Sequence, residues 1–268
     1  MIFCMDIGNT SVSDSIWDIN KNKFLSIIPN RWGTGKKEIC FSDPHGITSV
    51  AITSVVPMLT DYYKNYFQKT LNIEPFIVNH QNCGINLKVE NPNEVGADRI
   101  CNAVGAKEKY RTPCLIIDFG SATTYDIVDN KGDFIGGAIA PGIDVSANYL
   151  IEKAALLNDT IFQFPKNVIG KNTNTNLQSG IMYGGLDSIE GMIKRIISET
   201  NYHNMHIIFG FDRFPICHYY HSSSTSSSKV SNVFSRDNRS SRKFSRARFT
   251  LSSSVCNLYG TLSSANWS

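Results

Sequence analysis

No run in this chain approaches the roughly 18 consecutive apolar residues that a membrane-spanning helix needs, so insertion into a bilayer is not expected. The seven cysteines (Cys4, Cys40, Cys83, Cys101, Cys114, Cys217 and Cys256) contain no CxxC pair. An odd, scattered set favours reduced thiols over a disulfide framework or a zinc site. The apolar start Met1–Met5 meets Asp6 at once, too early for a signal-peptide core, and a cytoplasmic protein is the expectation. His80, His203 and His206 lack the spacing of metal ligands and read as surface or packing residues.

Strong charge of one sign is also missing from most of the chain. The formal net charge is +3, but residues 211–268 hold eight Lys/Arg and only two Asp, so the first 210 residues are slightly acidic. The body therefore has no general attraction for nucleic acid. The tail has 17 serines in 58 residues and no hydrophobic periodicity. Such composition cannot bury enough apolar surface to offset chain entropy, which predicts disorder over 211–268. RNA binding by this Ser/Arg-rich tail is the weaker reading, and a reading-frame shift near the codon for Gly210 would also account for its texture.

Several nucleotide signatures fail. Gly35-Lys36 is followed by Lys37 and has no glycine five positions before Gly35, so it is not a P-loop. No GxGxxG follows a strand. Asp118-Phe119-Gly120 spells a protein-kinase metal triplet, but no His-Arg-Asp catalytic loop accompanies it.

What the chain does have is a duplicated pattern. Ile2-Phe3-Cys4-Met5-Asp6-Ile7-Gly8-Asn9 and Cys114-Leu115-Ile116-Ile117-Asp118-Phe119-Gly120-Ser121 are both an apolar strand closed by Asp-x-Gly, with the aspartates 112 positions apart. Each precedes a segment able to return antiparallel, Val12–Trp17 (the less regular of the two) and Tyr125–Val128. Two similar α/β halves follow: residues 1–112, an incomplete 113–210, and then the tail. Further strands are expected over Ser49–Val56, Glu74–Val78 and His206–Phe209. Helices are expected over Met58–Leu71, Asn93–Tyr110, Val145–Leu157 and Leu186–Thr200 from their apolar spacing.

Glycine lets a turn after a buried strand approach a ligand closely, and the neighbouring N–H groups can face phosphate oxygens. Asn9, Thr10, Ser11 and Ser13 add neutral donors. Asp6 and Asp118 can hold cations that offset phosphate charge. One such turn alone reads as an ordinary hairpin; two, each ending the first strand of a half, point to a phosphate site of the actin-like ATPases and sugar kinases. In Gly96-Ala97-Asp98-Arg99, a helix start favours anions. Adjacent helical residues point about 100° apart, so Asp98 can take a proton while Arg99 grips a carboxylate. The bland alternative is a solvated charge pair.

In chain order, Asp6-Ile7-Gly8-Asn9-Thr10, Ser54-Val55-Val56-Pro57, Asn91-Pro92 with Glu94-Val95-Gly96-Ala97-Asp98-Arg99, Ile117-Asp118-Phe119-Gly120-Ser121-Ala122-Thr123-Thr124, Gly136-Gly137-Ala138-Ile139 with Pro141-Gly142, Gly170-Lys171-Asn172-Thr173 and Gln178-Ser179-Gly180 resemble the type III pantothenate kinases. The resemblance spans about residues 1–210. It implies two RNase H-like domains and ATP-dependent phosphorylation of pantothenate to 4′-phosphopantothenate, a step of coenzyme A synthesis. It implies that Asp6, Ile7, Gly8, Asn9, Thr10, Ser11, Val12, Ser13 and Ser121 contact ATP. Gly96, Ala97, Asp98, Arg99 and Thr173 would contact pantothenate, with Asp98 the general base. Asp118 would bind a monovalent cation, K+ or NH4+, beside Mg2+ carried with ATP. A homodimer is implied as well. Ser121 stands where the family has threonine and keeps the hydroxyl. After Ile207-Ile208-Phe209 the family continues Thr-Gly-Gly, whereas this chain has Gly210-Phe211-Asp212-Arg213. That departure supports the alternative of a catalytically impaired or non-enzymatic homologue.

Overall fold

A computed structural model of the chain describes residues 1–32, 36, 39, 46–154, 160–211 and 218–221. The first apolar repeat forms strand β1 (Ile2–Ile7), which pairs antiparallel with β2 (Val12–Asp18) through six consecutive residues. β3 (Lys23–Trp32) continues outward, and β4 (Ser49–Ser54) and β5 (Phe76–Ile77) add parallel strands on the other side. The sheet order is β3-β2-β1-β4-β5.

The second repeat builds the same pattern. β6 (Cys114–Phe119) pairs antiparallel with β7 (Ala122–Val128), which pairs with β8 (Phe134–Pro141). β9 (His206–Phe211) lies parallel to β6, and β10 (His218–His221) completes the order β8-β7-β6-β9-β10. The halves differ at their last strand: β10 runs antiparallel to β9, whereas β5 runs parallel to β4. Both sheets are thus RNase H-like, the arrangement of the actin-like ATPase and sugar-kinase superfamily.

Four helices among the described residues cover these sheets. α1 (Pro57–Leu71) starts on a proline, whose missing N–H costs nothing at a helix start. Its Tyr63 and Phe67 are fully buried with Phe3 against one face of the first sheet. α4 (Thr173–Thr200) packs Ile189, Ile193 and Ile196 against Leu115, Ile117 and Tyr125 of the second. α2 (Ala97–Lys109) lies between the sheets. Ile100, Ala103 and Val104 share one core with Ile2, Cys4 and Ala51 from the first half and Cys114, Ile116, Val128 and Ile208 from the second. The first sheet uses strands up to Ile77 and the second uses strands from Cys114 onward, and this core belongs to both. α3 is Ile143–Lys153.

Several expectations need correction. The helix expected from Asn93 starts only at Ala97, because Pro92–Glu94 is a 3-10 turn and Gly96 is extended at ψ 140. α4 begins 13 residues before Leu186, with Asn172 and Thr175 forming a capping box. Its glycines do not break it, and Gly185 lets Ile143 of α3 approach closely. β3 and β8 were not foreseen. Cys4 departs from the expectation of reduced thiols in being disulfide-bonded, while Cys83, Cys101 and Cys114 are free. Within the expected disordered tail, Phe211 ends β9 and His218–His221 form β10; the rest of that expectation lies outside the described residues. No helix of the described residues is long and apolar enough to cross a membrane.

Candidate active site

The conspicuous motifs of the sequence converge where β1, β4, β6 and β9 end. In the first turn Gly8 donates its N–H to Ser11 O at 2.9 Å; in the second Gly120 donates to Ala122 O at 3.0 Å. Asp6 pairs in register with Ser13 and Thr53, and Asp118 with Thr124 and Gly210, so the two acids hold equivalent places in their sheets. The first turn is one residue longer, which carries Thr10 outward. Its hydroxyl lies 3.3 Å from that of Ser121, joining the turns directly.

The remaining motifs support this junction. Val55 donates to Ile7 O at 3.1 Å, and a methyl group on Gly96 would touch the Val55 side chain, so Ser54–Pro57 wedges between the β1 end and the start of α2. Gly142 donates to Ser121 O at 3.0 Å, and a Cβ there would lie 2.3 Å from Gly120 O. Only glycine permits that approach, which brings the N-terminus of α3 and its unpaired N–H groups beside the Ser121 turn.

The first turn of α2 reaches both halves. Asp98 caps its own helix by accepting the Arg99 backbone N–H at 2.8 Å. Arg99 turns the other way, and its Nε and Nη2 lie 2.7 and 2.6 Å from Asp126 Oδ1 on β7. Asn102, one turn along, donates to Asp118 Oδ2 at 2.9 Å. The expected divergence of Asp98 and Arg99 is therefore present, but Arg99 is no solvated surface charge: its side chain is only 16% exposed.

Charges link the acidic groups. Burial pushes the Cys101 thiol far above its usual range, and Asp6 and Asp98 add to that, while a bond with Thr53 opposes it. Burial also pushes the Asp126 carboxyl up to about 7; Arg99 pulls it down, and Asp118 and Asp98 push it up. Asp6, Asp98, Asp118 and Asp126 thus share one electrostatic neighbourhood around the start of α2. The accessible donors here are carboxylates, hydroxyls and carbonyls, a set that suits hard cations. Among the described residues no three His, Cys, Asp or Glu gather as a dedicated metal cluster.

The structure brings together Asp6–Ser13, Gly96–Arg99, Asp118 and Ser121. Thr173 does not join them: it is exposed in the first turn of α4, with no described contact to the junction. A cavity of about 450 Å³ opens at Gly96, lined by Ser54, Val55 and Pro57 and the Asn93–Ala97 segment. Asp126, Asn102, Gly137 and Phe134 were missed as contributors. Asp126 had a signal: an acid in a strand whose alternate positions, Thr124 and Val128, share its face must be paired if buried.

Two duplicated RNase H-like halves, meeting at paired Asp-x-Gly turns with a third acid at an intervening helix start, define a phosphotransferase of the actin-like ATPase class. A family model described as type III pantothenate kinase matches residues 2–195. A type III pantothenate kinase of Thermomicrobium roseum is 39% identical over 213 residues, 75% of this chain and 82% of the relative. One of Agathobacter rectalis is 36% identical over 219 residues, 78% and 84% of the two chains. The activator of 2-hydroxyisocaproyl-CoA dehydratase from Clostridium difficile, solved with ADPNP bound, has a TM-score of 0.42 at 12% identity, covering 98% of this chain and 97% of its own. The chain belongs to the type III pantothenate kinase family.

Proposed function

We infer that this chain transfers the γ-phosphoryl group of ATP to the primary hydroxyl of pantothenate, giving 4′-phosphopantothenate for coenzyme A synthesis. The observation that carries this reading is the junction of the two Asp-x-Gly turns at Thr10 and Ser121, with α2 clipped beside it, in a chain of this family. Phosphoryl transfer needs positioning and charge neutralisation more than covalent chemistry, and backbone donors, cations and one carboxylate suffice.

In this reading the turns Asp6–Ser13 and Gly120–Ser121 cradle the phosphates and Gly96–Arg99 hold pantothenate; Thr173, which stands off this junction, would contribute across the homodimer, from the second subunit's copy of α4. Asp98 accepts the hydroxyl proton as the substrate oxygen bonds to the γ-phosphorus and the bond from that phosphorus to the β,γ-bridging oxygen breaks. ADP leaves. Asp98 must release its cap on the Arg99 N–H, or share it, to do so. Asp118, its carboxylate steadied by Asn102, would hold a monovalent cation, K+ or NH4+, and Mg2+ carried with ATP would supply further charge neutralisation at the phosphates.

A cytoplasmic homodimer completes the reading. It is supported by apolar side chains left exposed on neighbouring β8 and α3: Ile139 at 65%, Tyr149 at 61%, with Val145 and Leu150. The test is ATP-dependent phosphorylation of pantothenate by the purified full chain, with K+ present or replaced by Na+, read by mass spectrometry of the product. Turnover that requires K+ is expected. A folded chain that makes no phosphopantothenate under either condition is instead the impaired homologue.

A further inference from the structure

We propose that Asp126 is a positioning residue for substrate recognition, seating the guanidinium of Arg99 so that it meets the carboxylate of the acid substrate. The proposal rests on the reading of Gly96–Arg99 as the pantothenate site and names what makes that site selective.

The seat is built from four sides. Asp126 is fully buried on β7, and a single oxygen, Oδ1, takes both Nε and Nη2 of Arg99 at 2.7 and 2.6 Å. Thr124, two residues back on the same face, donates its hydroxyl to Oδ2 at 3.3 Å and fixes the carboxylate plane. Gly137 stands opposite Asp126 on β8, and a Cβ there would come within 3.0 Å of Arg99 Nη2 and 1.8 Å of Tyr125 O. The missing side chain is therefore space that the guanidinium uses. The Phe134 ring lies 5.6 Å from Arg99 Cζ and covers another side.

A buried ion pair is weak evidence of stabilisation, because an apolar pair of the same volume is often as stable. Its value here is geometric. Guanidinium carries five N–H donors, and Asp126 engages two. An arginine held in one rotamer loses little entropy when a ligand carboxylate arrives.

The test compares pantothenate with its alcohol analogue, in which the carboxylate is reduced to a hydroxymethyl group. Kinetics are run at pH 8, where the Asp126 carboxylate is largely ionised. For Asp126→Asn we expect KM for pantothenate to rise about tenfold, with kcat and KM for ATP within about twofold. KM for the alcohol should stay within twofold, so the preference for the acid collapses. Asp126→Glu, which restores the charge, should recover part of that preference. Should Asp126→Asn fail to fold, Thr124→Val supplies the reading, with about a threefold rise for the acid alone. Equal losses on both substrates, or no loss on either, overturn the proposal. Failure of the unaltered chain to phosphorylate pantothenate is a separate result and removes the functional reading itself.

Discussion

The Thr10 and Ser121 hydroxyls lie 3.3 Å apart, and they are the direct contact between two turns that end equivalent strands of the two halves. Neither residue is buried, so the contact stabilises the fold little and instead sets the spacing of the turns. If ATP phosphates sit between them, Ser121→Ala should raise KM for ATP several-fold and leave the melting temperature within about 1 °C. Ser121→Thr, which keeps the hydroxyl, should remain within about twofold of the parent. Steady-state kinetics at saturating pantothenate check both, and an unchanged KM for ATP in Ser121→Ala removes the turn from nucleotide binding.

Asp98→Asn separates chemistry from structure. The amide oxygen can still accept the Arg99 N–H and cap α2, so the variant should melt like the parent. It cannot take the hydroxyl proton. Turnover should fall a hundredfold or more, the usual loss for a positioned base. A rate within a few-fold of the parent would assign proton removal to another group.

Thiol chemistry offers a check on the core around α2. Cys101 is fully buried between Thr53 and the helix, and burial pushes Cys114 up to about 12. Thiolate is the reactive form, so both should resist iodoacetamide at pH 8 in the native chain and react fully in denaturant. Mass spectrometry of tryptic peptides distinguishes the two states. Native labelling of Cys101 within minutes would mean that α2 separates readily from β4.

Much of this architecture was legible in residues. Apolar strands closed by Asp-x-Gly are local signals, and their duplication forecast β1, β2, β6, β7 and the shared pattern of the sheets. β8 was hidden because its Gly136-Gly137 pair looks unlike a strand, although Gly137 is there to clear Tyr125 O and Arg99. α2 starts later than its apolar spacing indicates because Val95 shares the stripe without being helical, and nothing local announces that Gly96 is extended. α4 extends beyond the apolar spacing of Leu186–Thr200 because the capping box at Asn172 starts it earlier, and Gly185 packs closely on Ile143. The partners of Arg99 and Asp118 were not legible, since Asp126 and Asn102 reach them only through tertiary structure.

The pairing of Asp126 with Arg99 also makes a prediction about pH. Burial raises the folded carboxyl to about 7, from an ordinary value of 3.8, against the pull of Arg99. Between those values the folded chain holds a proton that the unfolded chain has released. This group's contribution to stability is therefore fully present below about pH 4 and is lost as pH rises through 7. Asp126→Asn cannot titrate and lacks that dependence. Melting temperatures of parent and variant, measured from pH 5 to pH 8, should converge or cross, with the parent losing ground as pH rises. For a chain of this size about 2–4 °C corresponds to each kcal/mol, so the relative shift is measurable. Parallel curves would show that Arg99 keeps the carboxylate ionised throughout, and a parent that gains ground with rising pH would reverse the assigned direction.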